Sequence, residues 1–164
     1  MSKEISVVVP IYFEEENIYP LYERIIGVIS EEMNLDYEII FVNDGSKDDS
    51  LEKLIAAYSL IKVDYFIHNK IETQPLRKGV FKSKNPAFDK LIVIDKENGG
   101  KADALNFGIN ISQSKYLACI DVDCLLLEDS LQRMVKPFLD TNDKKVIASG
   151  GVIRIANSCK IENG

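Results

Sequence analysis

The sequence predicts an α/β domain whose sheet is mostly parallel. Short β-branched apolar runs alternate along the chain with segments whose apolar residues recur at helical spacing. The strand-like runs are apolar without interruption, as buried strands of a parallel sheet are. The chain has 164 residues, 46% hydrophobic and 28% charged, which fits a single soluble domain over residues 1–164.

The first part of the chain contains two strand–helix pairs. Ile5–Pro10 predicts a buried first strand and Tyr37–Val42 predicts the second. The spacing of Ser46 and Asp49 predicts a capping box at the start of the second helix. The two helical stripes consist of Ile18, Leu21, Ile25 and Ile29, and of Leu51, Leu54, Ile55 and Tyr58.

The middle of the chain is less regular. Val63–Ile67 predicts a short third strand, but the pattern fails over His68–Lys90, where six Lys or Arg stand against two acids. This stretch predicts a long basic loop. Such a loop could contact a diphosphate, face anionic lipid headgroups or be a solvated insertion, and we favour the last.

Strands and helices return after residue 90. Leu91–Asp95 predicts the fourth strand, Tyr116–Asp121 predicts the fifth, and a Gly-Gly pair opens the helix between them. The stripes of the last two helices consist of Ala102, Leu105 and Ile109, and of Leu131, Met134, Val135 and Phe138. Residues 145–157 predict a final strand that no helix follows, so we expect a fragment of a longer protein.

Composition limits the function classes. The formal net charge of −6 argues against a general nucleic-acid binder, and no apolar run approaches the ~20 residues of a membrane span. Three cysteines without a CxxC pair favour a reducing compartment over a zinc site. The single histidine, His68, makes a histidine-rich metal site or a Ser-His-Asp triad a poor interpretation.

Polar side chains follow the predicted strands, and in an open parallel sheet ligands bind beyond the carboxyl ends of the strands. Tyr12 follows the first strand, Asp44 the second, and Asp95 and Lys101 the fourth, although Asp44 alone is equally compatible with a simple turn before a capped helix. Asp121 and Asp123 follow the fifth strand. Residues i and i+2 of a strand share a face, so both carboxylates could converge on one Mg²⁺ or Mn²⁺ held jointly with a phosphorylated ligand.

Two common nucleotide folds are excluded by their phosphate loops. A dinucleotide-binding Rossmann domain needs a glycine-rich loop after its first strand, and a P-loop needs GxxxxGK[ST]. This chain has "PIYFEEEN" after the first strand, without glycine and with three acids that would repel phosphate. Any phosphate must therefore be met by a metal, by Lys101 or by the basic loop.

Four ordered blocks carry a resemblance to a known family: "VVVPIYFEEENI", "VNDGSKDDS", "DKENGGKADALNFGI" and "DVDCLLLEDSL". From Ile5 to about Asn157 the chain resembles family-2 inverting glycosyltransferases, and most closely their membrane-bound, polysaccharide-synthase-like branch. The resemblance implies a GT-A fold that binds a nucleotide sugar, usually UDP-linked, with Mg²⁺ or Mn²⁺. It also implies a saccharide or lipid-linked acceptor and a place at the cytoplasmic face of the cell membrane, with membrane segments outside this chain.

The resemblance also implies roles for individual residues. Pro10, Tyr12 and Glu14 would line the nucleotide pocket, with Tyr12 beside the base and Asp44 accepting a hydrogen bond from it. Lys101 would lie near the diphosphate. Asp123 would be the direct metal ligand, with Asp121 supporting the metal or the nucleotide.

The chain departs from the family pattern in two respects. Phe13 stands where the family often has asparagine, and the catalytic base, the acceptor half and the QxxRW-type motif are expected downstream of Asn157. The fragment alone is therefore expected to bind donor without transferring sugar. One alternative is a non-catalytic GT-A-like module that binds a nucleotide or a partner. A sugar-nucleotidyltransferase is a second alternative, but it would need a glycine-rich signature near the first strand.

Overall fold

A computed structural model describes residues 4–13, 16–32, 36–140 and 146–152. The chain divides into two compact units, residues 1–126 and 127–164. The first unit contains the strands β1 (Ile5–Ile11), β2 (Tyr37–Asp44), β3 (Leu60–Val63), β4 (Leu76–Ser83), β5 (Leu91–Lys96) and β6 (Tyr116–Cys119). Its helices are α1 (Ile18–Glu32), α2 (Ser50–Tyr58) and α3 (Lys101–Ile111), and the second unit contains α4 (Ser130–Leu139).

The six strands form one sheet in the order β3-β4-β5-β2-β1-β6. Strands β5, β2, β1 and β6 are parallel, whereas β4 runs antiparallel to both β3 and β5. The four parallel strands therefore direct their carboxyl ends to the same edge. The prediction of a mostly parallel α/β sheet is confirmed.

Alternate residues of the central strands pack on the two faces of the sheet. On one face, Ile40 and Ile94 join a buried cluster with Phe107 of α3. On the other face, the ring of Phe41 lies 6.2 Å from the ring of Tyr22 in α1. Tyr22 in turn contacts Tyr58 of α2, with ring centroids 5.0 Å apart. Helices thus cover both faces, which explains why the strands are apolar throughout.

The prediction that the basic stretch His68–Lys90 is one long loop is wrong. The stretch contains the whole of β4. Val80 and Phe81 of this strand are buried, whereas Leu76, Arg77 and Lys78 are exposed at its start. The third strand also lies earlier than predicted, at Leu60–Val63. Ser59 ends α2 in the left-handed conformation, and β3 begins at the next residue to pair with β4.

Two local predictions about helices are wrong. Ser46 is not a helix cap, because its hydroxyl donates to Oδ1 of Asn43 and α2 begins only at Ser50. The inward face of α3 does not consist of Ala102, Leu105 and Ile109, although Leu105 packs at the edge of the core. The side chains that α3 buries are instead Ala104, Phe107, Asn110 and Ile111. Gly108 lies so close to β1 that an added Cβ would come within 2.3 Å of Val8 Cγ1.

The second unit contains the predicted last helix, α4, with Leu131 as its buried residue. Residues 146–152 carry no strand, contrary to prediction, and the rest of that predicted strand lies outside the described residues. The single domain over residues 1–164 stays a prediction. Across the described residues, no helix combines the length and apolar character that crossing a membrane requires.

Candidate functional site

A cavity of about 510 Å³ lies in the first unit at the carboxyl edge of the parallel strands. This volume falls within the range of small-molecule sites. Six of the predicted site residues line it: Pro10, Tyr12, Asp44, Lys101, Asp121 and Asp123. The lining is completed by Ile11, Asn98, Gly100 and Val122. Glu14, the seventh predicted residue, lies outside the described residues.

Asp121 and Asp123 converge, but not in the way predicted. Strand β6 ends at Cys119, and its last link to β1 is the hydrogen bond from Ile120 N–H to the carbonyl of Val8. The two aspartates lie in the turn that follows, which the Cys124 N–H closes on the Asp121 carbonyl. A turn, rather than strand alternation, therefore brings the carboxylates together.

The turn places three metal-ligating groups together. One oxygen of Asp121, one oxygen of Asp123 and the sulfur of Cys124 lie within 4.8 Å of one another. The two carboxylates are the hard oxygen donors that Mg²⁺ and Mn²⁺ prefer, so the donor set fits either ion. Burial, followed by the charge of Asp121, raises the pKa of the Cys124 thiol, which keeps this sulfur protonated and a weak donor near neutral pH.

Lys101 supplies positive charge to this pair of acids. Its ammonium lies 2.6 Å from Oδ1 of Asp121 and 2.8 Å from Oδ2. The hydrogen bond from Lys101 to Asp121 raises the pKa of the lysine, so the ammonium stays charged at neutral pH. Both side chains are open to solvent, at 61% and 39% exposure, so the pair is accessible to a ligand.

Asp44 is buried and anchors the start of α3. Its carboxylate accepts hydrogen bonds from the N–H groups of Gly99 and Gly100, at 3.0 and 2.7 Å. Its backbone carbonyl accepts a third, from the side chain of Asn98. Asp44 therefore fixes the loop between β5 and α3, and this loop lines the cavity. The resemblance did not imply this structural role for Asp44.

Lys96 is a residue that the sequence analysis missed. It is fully buried, donates to Oδ1 of Asp44 at 2.6 Å and forms a second ion pair with Asp103 of α3. A buried lysine is tolerated only when it is paired, and here two carboxylates from different elements pair with it. The sequence signal that could have identified Lys96 is its position at the end of the apolar run that forms β5.

A second buried network supports the end of β2. Asp95 has no exposed side-chain surface and binds both Nε and a terminal nitrogen of Arg77, at 2.8 and 2.7 Å. Asn43 donates to the same carboxylate, and Arg77 also donates to the carbonyl of Ser46. Asp95, which the sequence placed beside the site, is therefore occupied by structural contacts and does not line the cavity.

Two aromatic rings lie near the start of the chain, far in sequence from Asp121 and Asp123. Tyr12 and Phe13 follow β1, and each is 51% exposed. Their ring centroids are 4.5 Å apart at an interplanar angle of 85°, an edge-to-face contact. Tyr12 lines the cavity and offers an aromatic surface to a ligand.

The sequence matches the profile of glycosyl transferase family 2 over residues 6–158. This chain belongs to glycosyltransferase family 2. It is 31% identical over 123 residues to dolichol-phosphate mannosyltransferase of Saccharomyces cerevisiae, covering 75% of this chain and 36% of that protein. It is 29% identical over 157 residues to poly-β-1,6-N-acetyl-D-glucosamine synthase of Staphylococcus aureus, covering 96% of this chain and 30% of that protein.

A solved structure supports the GT-A fold. The mannosyltransferase from Pyrobaculum calidifontis, in complex with GDP-mannose and Mn²⁺, superposes with a TM-score of 0.60 at 19% identity. The match covers 86% of this chain and 34% of that chain. The predicted GT-A fold and family are thus confirmed, while this chain spans about a third of the length of the relatives named here.

Proposed function

We propose that this chain forms the donor site of a glycosyltransferase that uses a nucleotide-diphosphate sugar, with UDP as the nucleotide. The proposal extends to the whole protein, which would transfer the sugar with inversion to a saccharide or lipid-linked acceptor in cell-surface polysaccharide synthesis. The observation that carries it is the shared lining of one cavity by Tyr12, Lys101, Asp121 and Asp123.

In this proposal Asp123 and Asp121 hold Mg²⁺ or Mn²⁺, which when bound stabilises the charge that grows on a departing diphosphate. The ammonium of Lys101 binds the diphosphate directly, since it is charged, is 61% exposed and lines the same cavity as the two aspartates. Tyr12 and Pro10 line the part of the site that binds the nucleoside, together with Glu14. Transfer also needs a base that accepts the proton of the acceptor hydroxyl, and we assign this role to none of the described residues.

The role of Asp44 in the proposal is twofold. It lines the cavity, as a residue that accepts a hydrogen bond from the base should, but its carboxylate already accepts three donors. Two carboxylate oxygens offer about four acceptor positions, so one more donor can be accommodated. We therefore propose that Asp44 both holds the loop and contacts the base.

The names of the relatives support the acceptor class. They include enzymes named for dolichol phosphate and undecaprenyl phosphate as well as a polysaccharide synthase. Lipid-linked acceptors reside in membranes, so we propose that the whole protein works at the cytoplasmic face of one.

Calorimetric titration with UDP, first with Mn²⁺ and then with EDTA, tests the donor site. We expect binding with Mn²⁺ and a large loss of affinity with EDTA, because the aspartate pair repels a diphosphate unless a cation lies between them. GDP serves as the comparison nucleotide, and equal affinity for GDP would overturn the choice of UDP alone. Absence of UDP binding by the folded chain in both conditions would overturn the donor site itself.

A further inference from the structure

Phe13 has a backbone conformation that its side chain disfavours. Its φ is +58°, in the left-handed region where Cβ crowds the backbone carbonyl, and bulky residues are rare there. Among the described residues, Ser59 is the other non-glycine residue with positive φ, and its left-handed conformation ends helix α2. Phe13 ends no helix, since it lies two residues after β1. Another feature must account for its conformation.

Burial does not account for it. The side chain of Phe13 is 51% exposed, so a large part of the ring gains nothing from the hydrophobic core. Its ring contacts that of Tyr12 edge to face, with 4.5 Å between the centroids. The left-handed turn therefore places one exposed ring against another exposed ring, beside the cavity that Tyr12 lines.

The position of this pair suits a planar ligand. Tyr12, Asp121 and Asp123 line the same cavity, so a ligand that places its diphosphate at the acids has the ring of Tyr12 available within the same lining for its nucleoside. Aromatic side chains stack on nucleobases, and a ring held at its edge by a neighbour is fixed in orientation before the base arrives. This step rests on the function proposed above.

We propose that Phe13 is a positioning residue for the nucleobase. It holds the ring of Tyr12 in the orientation that stacks on the base, and the left-handed backbone of Phe13 brings the two rings into contact. The pair thereby makes the site selective for nucleoside diphosphates over diphosphates that lack a base. Phe13 acts through Tyr12 and not on the diphosphate.

The test replaces Phe13 by asparagine, which tolerates the left-handed conformation better than phenylalanine. In calorimetric titrations with Mn²⁺ present, Phe13→Asn should weaken UDP binding by about three- to tenfold, the range for loss of one aromatic pair. Binding of inorganic pyrophosphate should stay within about twofold of the unaltered chain. The Tm of Phe13→Asn should be equal or higher, because the backbone strain is relieved.

Two further variants complete the test. Phe13→Tyr keeps the ring and should restore UDP affinity, and Phe66→Asn removes another exposed aromatic ring that contacts a neighbour, His68, and does not line the cavity. Unchanged UDP affinity in Phe13→Asn would overturn the inference, as would equal weakening of UDP and pyrophosphate. If the unaltered chain binds pyrophosphate with Mn²⁺ but shows no preference for UDP, the base-stacking role fails while the metal site stands. If it binds neither, the proposed function fails first.

Discussion

The ammonium of Lys101 bridges both carboxylate oxygens of Asp121, at 2.6 and 2.8 Å. Two like charges, Asp121 and Asp123, thus share a turn with a positive charge already beside them. A divalent cation that binds this turn competes with the lysine for Asp121. In the proposed donor site, a bound diphosphate gives the lysine a new partner.

The first prediction follows from this competition. Lys101→Met should tighten the binding of Mn²⁺ alone by about two- to fivefold, because an exposed ion pair no longer has to be broken. The same variant should weaken UDP binding in the presence of Mn²⁺ by about tenfold, because a charge-assisted hydrogen bond to the diphosphate is lost. Titration of free Mn²⁺ by electron paramagnetic resonance measures the first effect, and calorimetry measures the second.

The control for Lys101→Met is Lys84→Met. Lys84 is an exposed lysine just past the end of β4, where that strand pairs with the start of β5 at the other edge of the sheet. It removes the same charge and should leave both affinities unchanged. If Lys101→Met shifts both affinities in the same direction, Lys101 does not exchange one partner for the other.

The second prediction concerns Asp123. Asp123→Ala should abolish the difference between UDP binding with Mn²⁺ and with EDTA, because the more direct of the two proposed metal ligands is gone. Calorimetric titration under both conditions measures this difference. Asp64→Ala removes an exposed acid that does not line the cavity and should keep the difference intact. Metal dependence like that of the unaltered chain in Asp123→Ala would remove the metal assignment.

The third prediction concerns the buried pair of Asp44 and Lys96. Asp44→Ala leaves Lys96 with Asp103 as its remaining carboxylate and leaves two glycine N–H groups without their acceptor. We expect the free energy of unfolding to fall by about 3 kcal/mol, the lower end of the range for breaking a buried ion pair. Urea denaturation measures this change.

Asp44→Ala should also weaken UDP binding in EDTA, since the proposed contact of Asp44 is with the base and not with the metal. Titrations must be made where urea curves show the variant to be fully folded, so that the two effects are separate. A loss confined to the metal-dependent part of UDP affinity would show that the role assigned to Asp44 is wrong.

The location of the site was predictable because topology alone determines it. Once the strands are parallel, residues that follow them, such as Tyr12, Asp44 and Asp121, must meet at one edge. The partners of these residues were not predictable in the same way. Asp44 meets Lys96 across 52 residues of sequence, and no local pattern encodes that contact.

Strand β4 escaped prediction for a related reason. Its first residues, Leu76, Arg77 and Lys78, are exposed, and the density of basic residues around them is typical of a loop. This segment is a strand because its backbone pairs with both β3 and β5, and Arg77 adds an ion pair with the buried Asp95 of β5. Hydrophobic periodicity indicates which apolar residues are buried. It does not indicate that a charged residue is neutralised by a partner distant in sequence.

The fourth prediction compares two glycines in helices. Gly108→Ala would place its Cβ 2.3 Å from Val8 Cγ1, so the Val8 side chain or α3 must shift, and we expect the free energy of unfolding to fall by about 1–3 kcal/mol. Gly27→Ala in α1 meets nothing within 4 Å and should stabilise the fold by about 0.5–1 kcal/mol. Thermal unfolding of both variants measures the changes. Destabilisation by Gly27→Ala would contradict the open space at that position.

The last prediction compares two adjacent basic residues of β4. Arg77→Met leaves the fully buried Asp95 without its guanidinium, although Asn43 and the Lys78 N–H still donate to it. We expect the free energy of unfolding to fall by about 3 kcal/mol. Removing one partner leaves a buried charge unpaired, and this costs more than the intact pair contributes to stability. Lys78→Met breaks an ion pair with Glu52 in which both side chains are about half-exposed, and such pairs contribute about 1 kcal/mol or less.

Urea denaturation of Arg77→Met and Lys78→Met, with the same loss of charge in each, separates the two kinds of ion pair. Arg77 also donates to the carbonyl of Ser46, so its removal should loosen the end of β2 and raise hydrogen exchange at the amides of residues 44–46. Lys78→Met should leave that exchange unchanged. Equal destabilisation by the two variants would mean that Asp95 is satisfied by Asn43 and backbone N–H groups alone, and that the guanidinium is not what holds β4 in the sheet.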